Sequence, residues 1–431
     1  MISLADPDLI DVIYNFKDPW RKSAFYSVAD FQLRTSFFGR TTRSSGFSTR
    51  SEKEHSSIVG PINKFYKESD ILEYEGRVDG VIKELLEKCT GFATSGGLVP
   101  FGDWLHYFAW DVIAAMTFTE SFGFVRDGRD KEDLINNSIS ATRYLAVVGQ
   151  IPFLDRLLGK NLVWPLGPPT LSTAAAFAKK QVDDRLASET TREDSKKIDF
   201  LGRFLSLPDS RHMVVSWLMR NVAAGSDSTA ILLRSVLYFL SQHPQVQDKL
   251  AVELRECFGQ GKYGERLNLR YRDLKQLVYL RAVINESLRM HPPVALGLER
   301  EVPAGGWKLP DGRYLPCGTL VGINPAIICQ HVAIFGEDVD IFRPERWIES
   351  PGRYENGNVS GKRLQRMEKV LGFCFGHGKR RCPGRHVALM ETYKVVVALI
   401  MRFKIHAQGQ WSTRNAWFHY QTDFNVTMEM R

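Results

Sequence analysis

The chain has 431 residues, of which 44% are hydrophobic and 25% are charged, and its formal net charge is +8. These fractions are typical of a folded globular protein, and they exclude a long disordered chain, a collagen and a coiled-coil array. No apolar run approaches the ~20 residues that a membrane-spanning helix needs. The dispersed basic residues, without zinc-finger or RNA-binding spacing, argue against a nucleic-acid partner.

The first half of the chain becomes helical only after an irregular beginning. Residues 1–60 mix short apolar pieces with Ser, Thr, Gly and Arg, and we predict that they are irregular. From Tyr66 onward apolar residues recur at helical spacing, and residues 104–118 are apolar nearly all round, which predicts a buried helix. Residues 212–240 form the longest helical pattern, which ends where Pro244 stops a helix.

The second half adds short strands to this helical pattern. Residues 245–290 predict two or three helices, and residues 294–321 show strand-like pieces separated by glycine turns. A weakly periodic stretch to about residue 370 precedes a last amphipathic helix over about 385–403. The sequence therefore predicts a mainly α fold with a minor β-sheet, in a single domain over residues 1–431.

The most informative segment is a glycine-rich turn, FGHGKRRCPG at residues 375–384, which delivers Cys382 directly before the last helix. The helix N-terminus and the neighbouring cations stabilise a thiolate there. Glycines let the backbone approach a flat, bulky ligand, and Arg380 is placed to pair with an anionic group on it. These are the requirements of a haem-iron axial ligand. A single cysteine in a turn is, by itself, more often a buried small hydrophobe.

With the spacing F-G-x-G-x-R-x-C-x-G, this segment resembles the signature of the cytochrome P450 superfamily at every fixed position. The resemblance implies the cytochrome P450 fold and a haem b whose iron is bound by Cys382. It further implies that Phe375, Gly376, Arg380 and Gly384 contact this cofactor.

Two other segments are similar to motifs that support the haem in this family. Glu286 and Arg289 lie three residues apart on one helix face, and alone they would form an ordinary surface ion pair. With the later Pro-Glu-Arg segment, the resemblance implies a buried structural triad of Glu286, Arg289 and Arg346. It also implies that Arg300, otherwise a solvated strand residue, binds a haem propionate.

The long helix contains the sequence AGSDST at residues 224–229. A glycine inside a helix costs ~1 kcal/mol relative to alanine, so we expect either close packing or a notch for dioxygen. The segment resembles the family's A-G-x-D/E-T-T motif, which implies that Asp227 and Ser228 are catalytic and deliver protons. Ser228 replaces the usual threonine, and its freer side chain predicts a leakier proton relay.

Two features depart from the family pattern. The chain opens near the family's second strand, apparently lacking the N-terminal anchor, first strand and first helix, and we interpret this as a truncated gene model or an alternative start. Val59 stands four residues after His55, where related fungal sequences have a basic residue near a propionate, so we expect weaker haem binding. The family resides on the cytosolic face of the endoplasmic reticulum; without an anchor we expect a membrane-surface or cytoplasmic protein.

The detailed resemblance is to fungal secondary-metabolism members, such as the pisatin demethylase and benzoate hydroxylase groups. It implies a monooxygenase that inserts one atom of dioxygen into a small apolar organic substrate. NADPH-cytochrome P450 reductase would supply the electrons, with cytochrome b5 as a further candidate donor, and we expect Lys379 and Arg381 to face it.

Two alternatives remain open at this stage. A haem-thiolate isomerase or dehydratase needs no reductase, and the Asp227–Ser228 pair argues against it. A truncated, catalytically silent protein is favoured by the missing N-terminal elements and by Val59.

Overall fold

The computed structural model describes residues 1–34, 40–161, 172–188, 199–208, 210–259, 269–348 and 359–431. Within these residues helices dominate, and the strands form one three-stranded sheet and four two-stranded sheets. This confirms the mainly α fold with a minor β component. None of the helices in these ranges combines the length and hydropathy that crossing a bilayer requires.

The helices before residue 209 are α1 (Ile10–Ile13), α2 (Glu52–Val59), α3 (Glu68–Ile71), α4 (Glu75–Ser95), α5 (Phe101–Phe118), α6 (Phe124–Asp127), α7 (Leu134–Val148), α8 (Leu154–Leu157), α9 (Ser172–Ser188) and α10 (Phe200–Leu205). Those after it are α11 (Ser210–Gly225), α12 (Asp227–Gln242), α13 (Pro244–Phe258), α14 (Tyr271–Leu274), α15 (Val278–Met290), α16 (Pro325–Ile328), α17 (Val332–Phe335), α18 (Val359–Gly372) and α19 (Arg385–Arg402).

The strands are β1 (Ile2–Leu4), β2 (Phe31–Arg34), β3 (Arg40–Arg43), β4 (Arg300–Glu301), β5 (Trp307–Lys308), β6 (Tyr314–Leu315), β7 (Leu320–Ile323), β8 (Phe403–Gln408), β9 (Ser412–Ala416), β10 (Phe418–Thr422) and β11 (Asn425–Met430). In the three-stranded sheet β7 is central. It pairs in parallel with β1 and antiparallel with β4, so that Arg300 lies opposite Val321.

Several predicted elements are confirmed, and others are wrong. The buried helix predicted over 104–118 is α5, the last helix is α19, and residues 245–290 contain three helices, α13 to α15. Residues 1–60 are not irregular, because they contain α1, α2 and the β2–β3 hairpin. Helix α18 and strands β8 to β11 were not predicted.

The single long helix predicted over 212–240 is interrupted at Ser226, between α11 and α12. Three hydroxyls at the interruption donate to carbonyls four residues earlier: Ser226 at 2.8 Å, and Ser228 and Thr229 at 2.7 Å. Such side-chain bonds compete with the backbone ladder and bend helices. A Cβ on Gly225 would lie 3.1 Å from Ile113 of α5, so close packing accounts for this glycine.

The predicted triad is present and is larger than the sequence motif. The buried carboxylate of Glu286 accepts five hydrogen bonds: two from Arg289 at 2.8 and 2.9 Å, one from Arg346 Nε at 2.8 Å, one from the Arg343 backbone N–H at 3.0 Å, and one from Trp347 Nε1 at 2.8 Å. Helix α15 is thereby fixed to the turn at residues 343–347.

The two arginines of the triad extend this cluster toward the cysteine loop. Arg346 Nη1 donates to the Phe335 carbonyl at 2.7 Å, and Arg289 Nη1 donates to the Cys329 carbonyl at 3.2 Å. Cys329 in turn contacts Cys374, with the two sulfur atoms 3.6 Å apart, just before the loop at 375–384. The triad therefore supports the loop from behind, as the sequence predicts.

Glu286→Gln tests how much this cluster stabilises the fold. Glutamine keeps one acceptor oxygen but leaves two buried guanidinium groups without their shared negative charge, so we expect the free energy of unfolding to fall by about 3–5 kcal/mol. Urea denaturation followed by circular dichroism measures this.

Glu345→Gln, in the same turn, is the matched control. Glu345 pairs with the half-exposed Lys249 at 2.7 Å, and an ion pair of this kind contributes less than about 1 kcal/mol. Equal losses of stability in the two variants would contradict the structural role of Glu286.

Candidate functional site

The loop that carries Cys382 is held in one shape by a hydrogen bond and by its glycines. The Cys382 N–H donates to the Phe375 carbonyl at 2.7 Å. Gly376 and Gly378 have φ angles of +70° and +63°, which favour glycine. A Cβ on Gly378 would lie 1.9 Å from the Tyr14 carbonyl oxygen, so a side chain is excluded there. The loop thus presents the cysteine at a fixed place just before α19.

Cys382 has accessible surface although the surrounding protein desolvates its thiol, and from this we infer an internal cleft that the thiol faces. The residue has accessible surface, whereas Cys89 and Cys329 are buried. Burial nevertheless raises the pKa of the Cys382 thiol, and the charge of Arg220 and the N–H groups at the start of α19 oppose this rise. A cysteine that binds a ligand must be accessible to that ligand and yet enclosed by the protein, and Cys382 meets both conditions.

Across this cleft lies one face of the interrupted long helix. Arg220, Ala224 and Ser228 are spaced four residues apart, so they lie on the same face. Ala224 is exposed and Ser228 is half-buried, although most of α12 is buried. The charge of Arg220 opposes the rise in the pKa of the Cys382 thiol, which agrees with this face lying on the side of the cysteine loop.

Cations outnumber carboxylates at one side of the cleft, where Lys22, Arg300 and Arg380 lie with Glu52 and Glu299. Arg300 is buried, and its Nε has no hydrogen-bond partner among the described residues. Lys22 is also buried, and its ammonium donates to the Phe47 carbonyl and lies 3.8 Å from the centre of the Tyr26 ring. Burial and then the charges of Arg300 and Arg380 hold the pKa of Lys22 well below its usual range.

A surplus of buried positive charge is costly unless an anion compensates it. His55, on α2, experiences the same surplus: burial, then Arg380 and Arg220, lower the pKa of its imidazole to about 3. The residues therefore fit a ligand that carries carboxylates, as the propionates of haem do. Sequence reasoning identified Arg300 but missed Lys22. Lys22 stands between Arg21 and Ser23, and no pattern in the sequence distinguishes it from an ordinary surface lysine.

Arg380 points inward, but protein groups occupy its donors. Its guanidinium bonds Glu52 of α2 at 2.7 Å and the carbonyls of Gly46 and Thr49 at 3.3 and 3.1 Å. These contacts tie the cysteine loop to α2 and the turn before it. Val59 is buried where a basic residue was expected, and its Cγ2 lies 2.6 Å from the place of a Cβ on Gly46.

Asp227 and Ser228 are adjacent in sequence but have different surroundings. The buried Asp227 carboxylate accepts hydrogen bonds from Ser138 at 2.7 Å, Tyr420 at 2.9 Å and Trp110 at 3.0 Å, and His106 Nε2 lies 2.8 Å from it. Burial alone would raise the pKa of Asp227, but these bonds outweigh it and hold the pKa below its usual value.

The side chains of Asp227 and Ser228 thus do not contact each other. No hydrogen bond among the described residues joins them, and the Ser228 hydroxyl donates to the Ala224 carbonyl. The other predicted residues lie together, since Phe375, Gly376 and Gly384 form the loop around Cys382. A Cβ on Gly384 would lie 3.8 Å from the Cys382 sulfur.

Comparisons with known proteins agree with this arrangement. A family model described as cytochrome P450 matches residues 47–417. A cytochrome P450 monooxygenase of Aspergillus flavus is 32% identical over 445 residues, covering 100% of this chain and 84% of that relative. The cytochrome P450 monooxygenase pkfB of Emericella nidulans is 32% identical over 443 residues, covering 100% of this chain and 83% of that relative. A crystal structure of a cytochrome P450 shares the fold, with a TM-score of 0.76 and 18% identity, covering 100% of this chain and 89% of that chain.

Proposed function

The chain belongs to the cytochrome P450 family and is a haem monooxygenase, and we propose that it oxidises a small, largely apolar substrate in fungal secondary metabolism. The observation that carries this proposal is Cys382, presented at the start of α19 opposite the face of Arg220, Ala224 and Ser228. We take residues 1–431 as a single monooxygenase domain.

The residues present fit a haem b. Cys382 would bind the iron, and Lys22 and Arg300 would compensate the propionates. Arg380 is paired with Glu52 and would contribute to haem binding by holding α2 against the cysteine loop. When bound, the haem activates dioxygen with electrons that NADPH supplies through a reductase.

An apolar substrate is supported by the segment before Arg300. The side chains of Val294, Leu296 and Leu298 are only partly buried. Half-exposed aliphatic side chains beside a cofactor site are typical of pockets for apolar ligands.

The electron donor docks where the cysteine loop reaches the surface. Lys379 and Arg381 are exposed on this loop, whereas Arg366 and Lys369 nearby pair with Asp8 and Asp11. Exposed cations accelerate encounter with an acidic partner, which is the chemistry expected of NADPH-cytochrome P450 reductase. The family's location, the cytosolic face of the endoplasmic reticulum, is part of the same proposal.

Ser228 is the hydroxyl in position to pass protons into the cleft. It lies on the half-exposed face of the helix, and its hydroxyl donates to Ala224. Asp227 is held as an anion, and it accepts from Tyr420, whose hydroxyl is 3.0 Å from that of Thr142. No hydrogen bond among the described residues joins these hydroxyls to Ser228, so the proposed proton delivery into the cleft rests on Ser228, with Asp227 as the buried anion one residue before it.

The carbon monoxide difference spectrum of the reduced protein tests the haem-thiolate assignment. We expect a far-red-shifted Soret band that disappears in Cys382→Ala, because a thiolate ligand produces it. The matched control is Cys374→Ala, eight residues earlier, which should retain the band.

The opposite behaviour of the two variants would assign the ligand to Cys374, and absence of the band from the unaltered protein would favour a catalytically silent protein. A band without NADPH oxidation in the presence of the reductase would favour the isomerase or dehydratase alternative.

Ser228→Ala tests the proton pathway. We expect haem binding and NADPH oxidation to persist while more of the oxygen consumed is released as hydrogen peroxide, since protons arrive less efficiently. The ratio of peroxide formed to NADPH oxidised measures this. Ser226→Ala is the matched control, because the buried Ser226 hydroxyl bonds Val222 away from the cleft. Equal ratios in both variants would exclude Ser228 from the pathway.

A further inference from the structure

We propose that Arg220 binds a carboxylate in the cleft between Cys382 and α11, and that the substrate carries this carboxylate. The inference rests on the proposed function and narrows its substrate class from an apolar molecule to an apolar carboxylic acid. It assigns to Arg220 the recognition of the charged end of the substrate, and leaves the apolar part to the aliphatic side chains of residues 294–298.

The position of Arg220 on its helix places it in the cleft. It lies one turn before Ala224 and two turns before Ser228, on the face that has accessible surface. Helix side chains point back toward the N-terminus, so a long side chain at this position extends along the cleft beyond Ala224. The Cα atoms of Arg220 and Ser228 are thus eight residues apart, or ~12 Å along the helix axis.

The Arg220 guanidinium has no anionic partner among the described residues. Its Nη1 is buried and has no hydrogen-bond partner. The Tyr66 ring lies 5.6 Å from the guanidinium carbon, but the Tyr66 hydroxyl donates to Asn221 instead. On the other side Gly46 borders the guanidinium without bonding it, since a Cβ on Gly46 would lie 4.0 Å from Nη1.

Arg220 therefore has N–H donors that are free to bind a ligand. A buried cation without an acceptor is costly, and other buried arginines of this protein, such as Arg289 and Arg346, are bonded to carboxylates or carbonyls. The guanidinium fork matches a carboxylate with two parallel hydrogen bonds, and loss of one such partner is costly. A carboxylate is therefore the ligand chemistry that Arg220 fits.

Two sources could supply this carboxylate, the substrate or a haem propionate. Lys22 and Arg300 already provide cations for propionates, whereas Arg220 lies on the helix face that also carries Ala224 and Ser228. These observations favour the substrate. The experiment must also test a haem propionate as the source, because Val59 stands where a basic residue was expected near a propionate.

The test uses a series of N-substituted imidazoles of graded length that end in a carboxylic acid, each with its methyl ester. The imidazole nitrogen binds haem iron in any member of the series, so only the far end differs within a pair. Titration calorimetry gives the acid-to-ester affinity ratio for the unaltered protein, Arg220→Leu and Arg220→Lys. Arg211→Leu, an exposed arginine on the same helix, is the matched control.

For at least one length we expect the unaltered protein and Arg211→Leu to favour the acid, and Arg220→Leu to lose about 10- to 100-fold of that preference. Arg220→Lys should retain part of it, because it keeps the charge without the fork. If Arg220→Leu does not fold, Arg220→Gln replaces it with the same expected loss. An unchanged ratio at every length would overturn the substrate assignment.

Haem retention separates the two sources. Substrate recognition predicts that Arg220→Leu retains haem as the unaltered protein does, measured by transfer of haem to apomyoglobin. Faster haem loss with an unchanged acid-to-ester ratio would assign the carboxylate to a propionate, and no change in either would overturn the proposal. Failure of the proposed function is seen separately, as absence of the thiolate Soret band in the unaltered protein.

Discussion

The buried carboxylate of Glu286 is the interaction on which the site depends. Its five hydrogen bonds join α15 to the turn at residues 343–347, two stretches that local structure alone would not hold together. From there Arg289 reaches Cys329, which contacts Cys374 at the entrance of the cysteine loop. A fully bonded carboxylate is rigid, so the loop that presents Cys382 rests on a fixed support.

Charge is distributed unequally across the cleft, and this asymmetry defines what it can bind. The negative charge of Asp227 is stabilised by hydrogen bonds from side chains on three other elements. This carboxylate therefore needs no ligand to compensate its charge. On the other side Lys22 and Arg300 are buried and Arg220 is half-buried, and Arg300 and Arg220 each have a buried nitrogen without an acceptor among the described residues. An anionic cofactor and, by our proposal, an anionic substrate complete this side.

Features that are local in sequence could be predicted, and features that depend on distant contacts could not. The cysteine loop and the Glu286–Arg289 pair are short motifs, and α5 and α19 are long periodic segments, so all were found. The break at Ser226 was missed because three hydroxyls compete with the helix ladder. The partners of Asp227 lie up to 193 positions away in the chain, and no sequence pattern joins them.

The iron K-edge X-ray absorption spectrum of the purified ferric protein shows whether Cys382 binds the haem iron. We expect one sulfur atom in the first coordination shell, in addition to the porphyrin nitrogens, and its loss in Cys382→His. A first shell without sulfur in the unaltered protein, or sulfur that persists in Cys382→His, would contradict this assignment.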